Sequence, residues 1–180
     1  MQAQPTRADS RLRGVLDRLD SLDDDAAIAA LGGVLLEEPG NAHAHHVLAG
    51  LYAQVGEMAL AKQSFQAALQ FDPGLTVARF QLGQLLLVEN DVTEAVDVLA
   101  PLTQEQTALG AYATAWLHAA QGDLAAAIAS VDLGLMADQT VPALADDMRA
   151  LRGAWVDAGE QEKRDAPTVP LFLSGYGRQV

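Results

Sequence analysis

Cysteine is absent from the 180-residue chain, and aromatic residues make up only 5% of it. Without cysteine the protein has no disulfide, no zinc–thiolate centre and no thiol nucleophile. No apolar run approaches the roughly 18 residues needed to cross a bilayer, and the first residues lack the charged-then-apolar order of a signal peptide. We therefore expect a cytoplasmic protein without membrane insertion.

Basic residues are missing from a long central stretch. No Lys or Arg lies between Arg79 and Arg149, although Asp and Glu recur throughout that interval, and the formal net charge of the chain is −13. A surface of this sign repels phosphate backbones, so we expect no nucleic-acid partner. We interpret the acidic residues as a solvated shell that keeps an apolar protein in solution.

The chain does contain an internal repeat. The tripeptide Glu38-Pro39-Gly40 returns as Asp72-Pro73-Gly74 at a distance of 34 residues, and the apolar pattern before it returns as well. Half of all residues are hydrophobic, with Ala and Leu dominating, as in helices that pack closely on helices. A period of about 34 residues in which each unit reads helix, turn, helix is typical of an α-solenoid.

The clearest unit runs from about Ala42 to Leu75. Its characteristic positions are Leu48, Ala49, Tyr52, Gly56, Ala61, Phe65, Ala68 and Pro73. The next unit repeats the pattern as Leu82, Gly83, Leu86, Asn90, Ala95, Leu99 and Leu102. These residues, in this order, resemble the consensus of the tetratricopeptide repeat (TPR) family, lacking only its leading Trp. The resemblance implies a helical scaffold that offers a curved surface to another protein.

The third unit begins two residues too early, which indicates a deletion near Thr103–Thr107. Pro101 lies in the helix just before this deletion. A proline inside a helix removes one hydrogen bond and clashes with the preceding turn. We therefore expect this helix to kink or to end early.

A capping helix is predicted to close the stack, because Leu144, Met148, Leu151 and Trp155 recur at i, i+4, i+7 and i+11. The sequence thus predicts an all-α fold, a right-handed α-solenoid of about four TPR-like helix pairs plus a C-terminal capping helix. The solenoid is expected over residues 8–158. Its approximate parts are units 8–41, 42–75, 76–107 and 108–141 and the cap 142–158, followed by an extended apolar tail at 159–180.

In the TPR family the first helix of each pair lines the concave face. Carried over to this chain, the resemblance implies a peptide-binding groove formed by His43, His46, Val47, Gln54, Val77, Phe80, Gln81, Gln84, Leu87, Leu109, Tyr112 and Trp116. For Phe80 and Trp116, packing inside the fold is an equal alternative. The Lys, Arg and Asn residues of grooves that grip acidic heat-shock-protein tails are absent here, which argues against that subclass.

The cluster His43, His45 and His46 is the only one with the composition of a metal site. On a helix His43 and His46 can share a face, but no third ligand of suitable type for that face lies nearby in sequence, whereas protein zinc sites use three or four ligands. We therefore expect these residues to be polar groove lining and predict no metal and no cofactor. No phosphate-binding glycine loop, nucleophile elbow or catalytic triad pattern occurs, so we expect no enzymatic activity.

The final segment departs from the helical pattern. Pro167 and Pro170 favour an extended backbone. The large apolar residues that accompany them are Leu171, Phe172, Leu173 and Tyr176. We predict that this tail docks on an apolar TPR surface, either its own or that of a neighbouring subunit. The alternative is that it packs back on the capping helix beside Trp155.

These observations predict a non-enzymatic protein–protein interaction module. It would be an adaptor or chaperone that binds an apolar, extended peptide segment of another protein in the concave groove. One alternative is a structural subunit that self-assembles, with a homodimer as one form. A second alternative follows from similarity to the small acidic chaperones of type III secretion translocators, which have about this length and number of repeats.

Overall fold

The computed structural model describes residues 7–139 and 141–161. Within these ranges the chain forms nine α-helices and one turn of 3-10 helix (Leu19–Ser21), with no β-strand. The helices are α1 (Arg7–Leu16), α2 (Asp24–Glu37), α3 (Ala42–Gln54), α4 (Met58–Phe71), α5 (Thr76–Val88), α6 (Val92–Thr103), α7 (Ala108–Ala120), α8 (Leu124–Met136) and α9 (Pro142–Gln161). The prediction of an all-α fold is confirmed.

The described residues divide into two compact units, 7–78 and 79–161. The sequence had predicted one continuous repeat domain over 8–158. The boundary falls inside the first turn of α5, so most of that helix lies in the second unit.

The first unit is built from α1 to α4, in which each helix packs on the next. Leu12 and Val15 of α1 and Leu19 of the 3-10 turn join a core with Leu31 of α2 and Leu51 of α3. The apolar residues of α1 therefore belong to the core of the first unit. An ion pair between Arg11 and Glu37 links α1 to the end of α2 at the surface.

The repeat period of the sequence is visible in the starting points of the helices. The helices α3, α5 and α7 begin at Ala42, Thr76 and Ala108, which are 34 and 32 residues apart. Side-chain oxygens of residues just before the helices accept hydrogen bonds from backbone N–H groups of the first turns, as N-caps do. The capping residues are Asp23, Asn41, Asp91, Thr107 and Asp123.

The turns that close α3, α5 and α7 share one backbone conformation. Gly56, Asn90 and Gly122 have φ angles of 85°, 62° and 80°. This left-handed conformation ends a helix at little steric cost when the residue is Gly, and Asn tolerates it best among the others. The chain therefore reverses direction in the same way after each of these helices.

The second unit depends on two close approaches between helices. A Cβ placed on Gly83 of α5 would lie 2.3 Å from the side chain of Leu99 in α6. A Cβ on Gly134 of α8 would lie 2.3 Å from the ring of Tyr112 in α7. Both glycines are needed because they leave room for a large side chain of the neighbouring helix.

Pro101 does not interrupt its helix. Helix α6 continues through Pro101 and ends at Thr103. Helix α6 is two residues shorter than α4, the second helix of the preceding pair, with 12 residues against 14. The expected early end amounts to this difference. A proline this close to a C-terminus removes one intrahelical hydrogen bond and leaves the remaining turns intact.

A pair of glycine substitutions tests the packing of α8 against α7. We expect Gly134→Ala to lower the free energy of unfolding by about 1–3 kcal/mol, because the new methyl group overlaps the Tyr112 ring. Gly153→Ala in α9 is the matched control. Nothing lies within 4 Å of its Cβ position, so the higher helix propensity of Ala should stabilise the chain by roughly 0.5–1 kcal/mol. Urea denaturation followed by circular dichroism measures both, and a neutral Gly134→Ala would contradict the packing described.

Candidate functional site

Helices α3, α5 and α7 carry the residues that sequence analysis assigned to a peptide-binding groove. Seven of the twelve are buried: His46, Val47, Phe80, Gln81, Gln84, Tyr112 and Trp116. The other five have exposed or partly exposed side chains: His43, Gln54, Val77, Leu87 and Leu109. The predicted set therefore contains a buried framework and a smaller accessible surface.

Trp116 belongs to the buried framework. Its side chain is 3% exposed, and its ring meets that of Trp155 edge to face with a centroid distance of 6.0 Å. Trp155 lies on α9 and was assigned only to the cap by the sequence. For Trp116 the packing alternative is the one observed, because the amphipathic stripe of α9 brings Trp155 against it.

The two indoles carry an unusual polar feature. Neither Nε1–H group has a hydrogen-bond acceptor in the part of the chain that the structure describes, and both nitrogens are fully buried. Buried Trp N–H groups normally find an acceptor. Leaving one unpaired costs roughly 1–3 kcal/mol relative to a solvated group. The contact between α7 and α9 is therefore favourable in its apolar part and unfavourable in its polar part.

Tyr112 is held at both ends of its side chain. Its ring packs over Gly134, and its hydroxyl donates to Gln139 Oε1 at 3.0 Å. Burial raises the pKa of Tyr112 above its ordinary value, with the hydrogen bond to Gln139 acting in the opposite direction. Gln139 follows α8 and also donates to the carbonyl oxygens of Gly134 and Ala137, both at 2.7 Å. No sequence pattern had pointed to Gln139.

Gln84 is a buried polar residue in the middle of the apolar helix α5. Its side chain is 3% exposed, and Oε1 has no donor within hydrogen-bonding distance among the described residues. Gln81, one turn earlier and equally buried, does have an interaction partner. Leu87 follows Gln84 by three residues, on the same face of the helix, and is partly exposed.

The three histidines of α3 have separate surroundings. His43 is exposed. His45 donates from Nε2 to the carbonyl oxygen of Pro39 at 2.8 Å, and its ring stacks on Phe71 with centroids 5.7 Å apart. His46 is buried with its ring 6.1 Å from that of Phe65. The cluster is therefore divided between solvent, a helix-end contact and the core.

One charged pair joins α8 to α9. Arg152 donates from Nε to Asp132 Oδ1 at 2.6 Å and from Nη2 to Oδ2 at 3.1 Å, a bidentate geometry. These hydrogen bonds hold the pKa of Asp132 below its ordinary value. The side chain of Arg152 is 38% exposed and that of Asp132 is 46% exposed, so solvent screens much of their attraction.

Three further sequence-based predictions concern the tail, metal binding and membrane insertion. The tail residues Leu171, Phe172, Leu173 and Tyr176 lie outside the described ranges. Between residues 7 and 161, with residue 140 excepted, no three His, Asp or Glu side chains are grouped as a metal ion would require. Over the same stretch no helix combines the length and the apolar character of a membrane span.

Comparison with solved structures identifies the fold. The chain is similar to MamA (residues 41 to the end) from Desulfovibrio magneticus RS-1, with a TM-score of 0.60, 16% sequence identity and coverage of 91% of this chain and 100% of that one. A MamA RS-1 double mutant gives 0.60 with 17% identity, covering 90% and 99%. A further MamA crystal structure gives 0.58 with 20% identity, covering 91% and 98%.

MamA is a TPR-like helical solenoid, and the likeness shows that this chain has a TPR-like fold. No protein-family model matches the sequence, and no curated protein is significantly similar to it. At these identities the comparison concerns the fold alone.

Two alanine substitutions on α7 separate the buried framework from the accessible surface. We expect Trp116→Ala to lower the free energy of unfolding by about 3–5 kcal/mol, because a packed aromatic side chain is lost. Leu109→Ala, seven residues earlier on a partly exposed position, should cost roughly 1 kcal/mol or less. Denaturant titrations of both variants decide the matter. A small loss for Trp116→Ala would show that this side chain is available to a ligand after all.

Proposed function

We propose that this protein is a non-enzymatic interaction module that binds an extended, apolar segment of another protein along the first helices of its TPR-like pairs. The TPR-like fold supports this role because such scaffolds present helix faces to other chains. The accessible part of the surface would include Leu87 of α5 and Leu109 of α7, which are apolar and partly exposed. An adaptor and a chaperone would both use it.

The observation that carries the proposal is the unpaired carbonyl oxygen of Gln84. A Leu or Met at this position of an apolar helix would bury as much surface without the cost of desolvating an acceptor. An extended peptide offers backbone N–H groups at regular intervals, and one of them would supply the missing donor. Rotation of the Gln84 side chain toward Leu87 would present the carboxamide to a strand lying along α5.

The tail remains part of this proposal as a competitor. Residues 166–180 combine two prolines with Leu171, Phe172 and Tyr176. This composition lowers the entropy lost when an extended segment binds. We therefore propose that the tail occupies an apolar TPR surface, in the same chain or in a second one. Its sequence also supplies a defined peptide with which to probe the groove.

The secretion-chaperone alternative rests on chain length, acidity and number of repeats, and the likeness to MamA adds nothing to it. The self-assembly alternative has an observation in its favour. Leu133 and Met136 on α8 are 65% and 85% exposed, and they continue an outer face formed by Ala125 and Ala129. Asp132, between Ala129 and Met136 on this side of α8, is its one charged residue, and exposed apolar stripes are a common site of association.

The Gln84 hypothesis makes opposite predictions for stability and for binding. Gln84→Met should raise the free energy of unfolding of the free chain by about 1 kcal/mol, because the unpaired acceptor is removed. It should also weaken binding of extended apolar peptides about tenfold, the equivalent of one lost hydrogen bond of roughly 1.4 kcal/mol. The ligands are peptides selected on the wild-type chain from a displayed library, together with peptide 166–180, and anisotropy measures their affinity.

Gln81→Met is the matched control for this experiment. Gln81 is as buried as Gln84 but is not unpaired, so its substitution should destabilise the free chain. If selection yields no apolar peptides, or if the selected peptides bind the Gln84→Met chain as tightly as the wild type, the proposed groove is wrong.

The self-assembly alternative is tested on α8. If this face mediates association, the wild-type chain should gain mass with concentration in light scattering, and Leu133→Glu should abolish the gain by placing a charge on the apolar stripe. Ala150→Glu, at an exposed position of α9, controls for added negative charge. A constant monomer mass for the wild type would exclude assembly through this face.

A further inference from the structure

Helix α9 is attached to the rest of the second unit through one face only. Its buried large side chains, each at most 3% exposed, are Leu144, Met148, Leu151 and Trp155. The opposite face, which includes Asp146 and Arg149, is exposed. The buried face packs on α8 and reaches α7 through the ring of Trp155. An amphipathic helix of this kind binds a surface in the same way whether or not it belongs to the same chain.

The turn after α8 is held in part without α9. Gln139 donates to the carbonyl oxygens of Gly134 and Ala137 and accepts a hydrogen bond from the Tyr112 hydroxyl, and none of these three bonds involves a residue of α9. In a repeat stack each element contacts only its neighbours, and a terminal element has one neighbour instead of two. Such elements open at lower free energy than interior ones.

The contacts that α9 makes are also imperfect in a specific way. With α9 docked, the indole N–H groups of Trp116 and Trp155 are buried without an acceptor. When the helices separate, water can satisfy both groups. The Arg152–Asp132 pair lies at the half-exposed edge of the contact, where solvent weakens it. Release of α9 therefore recovers polar interactions that docking removes.

We propose that α9 is the exchangeable occupant of a helix-binding site. This cap site is the surface of α7 and α8 that α9 covers, marked by Trp116 and Asp132. The partner it fits is an amphipathic helix with large apolar residues at i, i+4, i+7 and i+11 and an arginine at i+8. Those are the positions of Leu144, Met148, Leu151, Trp155 and Arg152 in α9. The cap site shares helix α7 with the proposed peptide groove but uses Trp116, whereas the accessible residues of the groove are Leu87 and Leu109.

Asp132 gives the cap site its selectivity. It is the only charged residue of α8, whose other exposed positions are apolar. A partner helix with arginine at i+8 can form the bidentate contact that Arg152 forms. A helix with an acidic residue there would face Asp132, and the like charges would repel.

The test supplies α9 in trans to the full-length chain. The probe is a fluorescein-labelled peptide of residues 141–161, and anisotropy gives its affinity. In the chain variant Arg152→Glu the resident helix is repelled by Asp132, so the cap site should be free more often. Because affinity scales with the fraction of competent sites, the peptide should bind this variant at least about tenfold tighter than the wild-type chain. Amide exchange within α9 should accelerate in parallel.

Arg149→Glu is the matched control. Arg149 pairs with Asp146 on its own helix at 2.5 Å and stays exposed, so this variant should bind the peptide as the wild-type chain does. Charge reversal adds a second readout. An Asp132→Arg chain should prefer a peptide carrying Arg152→Glu over the unmodified peptide, which a merely structural role of Asp132 would not produce.

Leu151→Glu opens α9 independently, by placing a charge on its buried face. If amide exchange shows α9 open in either variant and the peptide still does not bind, the proposal is overturned. Equal affinity of the Arg152→Glu and Arg149→Glu chains, with α9 exchanging faster only in the former, overturns it as well. A doubled mass of the wild-type chain in light scattering, lost in Leu151→Glu, would show that a second copy of this chain occupies the cap site. That outcome would contradict the proposal that the occupant is a helix of a different protein.

Discussion

The close approach of neighbouring helices governs the rest of this structure. Gly83 admits Leu99 and Gly134 admits Tyr112, and in each case a methyl group would already overlap the incoming side chain. Such contacts place helix axes nearer than two large side chains would allow. A chain that uses Gly for this purpose can bury a large side chain on the backbone of a neighbouring helix. The burial of Tyr112 over Gly134 has this origin.

The features that were predictable from sequence are local ones. Helix positions follow from a period that repeats in the chain, and their ends follow from capping residues such as Asn41 and from residues such as Gly56 that accept positive φ. The capping and turn signals act within a few residues, and the period is visible within the chain itself, so a single sequence contains both kinds of signal in full. The TPR-like fold could be predicted for the same reason.

The candidate site was less predictable because its burial depends on residues distant in sequence. Helix α7 is apolar on nearly every face, so its pattern does not distinguish a side that lines a groove from a side that packs. Trp116 is buried because Trp155, 39 residues later, lies against it. Gln139 stands in a connection without any pattern, yet it joins Tyr112 to the end of α8. Long-range contacts of this kind leave no periodic signal.

The buried polar atoms that lack hydrogen-bond partners are concentrated in one part of the molecule. A stable core satisfies its buried polar groups, and a chain that leaves some unpaired gives up stability at those positions. Among the residues that the structure describes, the unpaired buried side-chain atoms lie on Gln84, Trp116 and Trp155, all in the second unit and all on first helices or on the cap. A carboxamide oxygen lacks a donor, whereas the two indoles lack acceptors. An extended backbone segment carries both kinds of group, which supports the proposal of an extended peptide ligand made above.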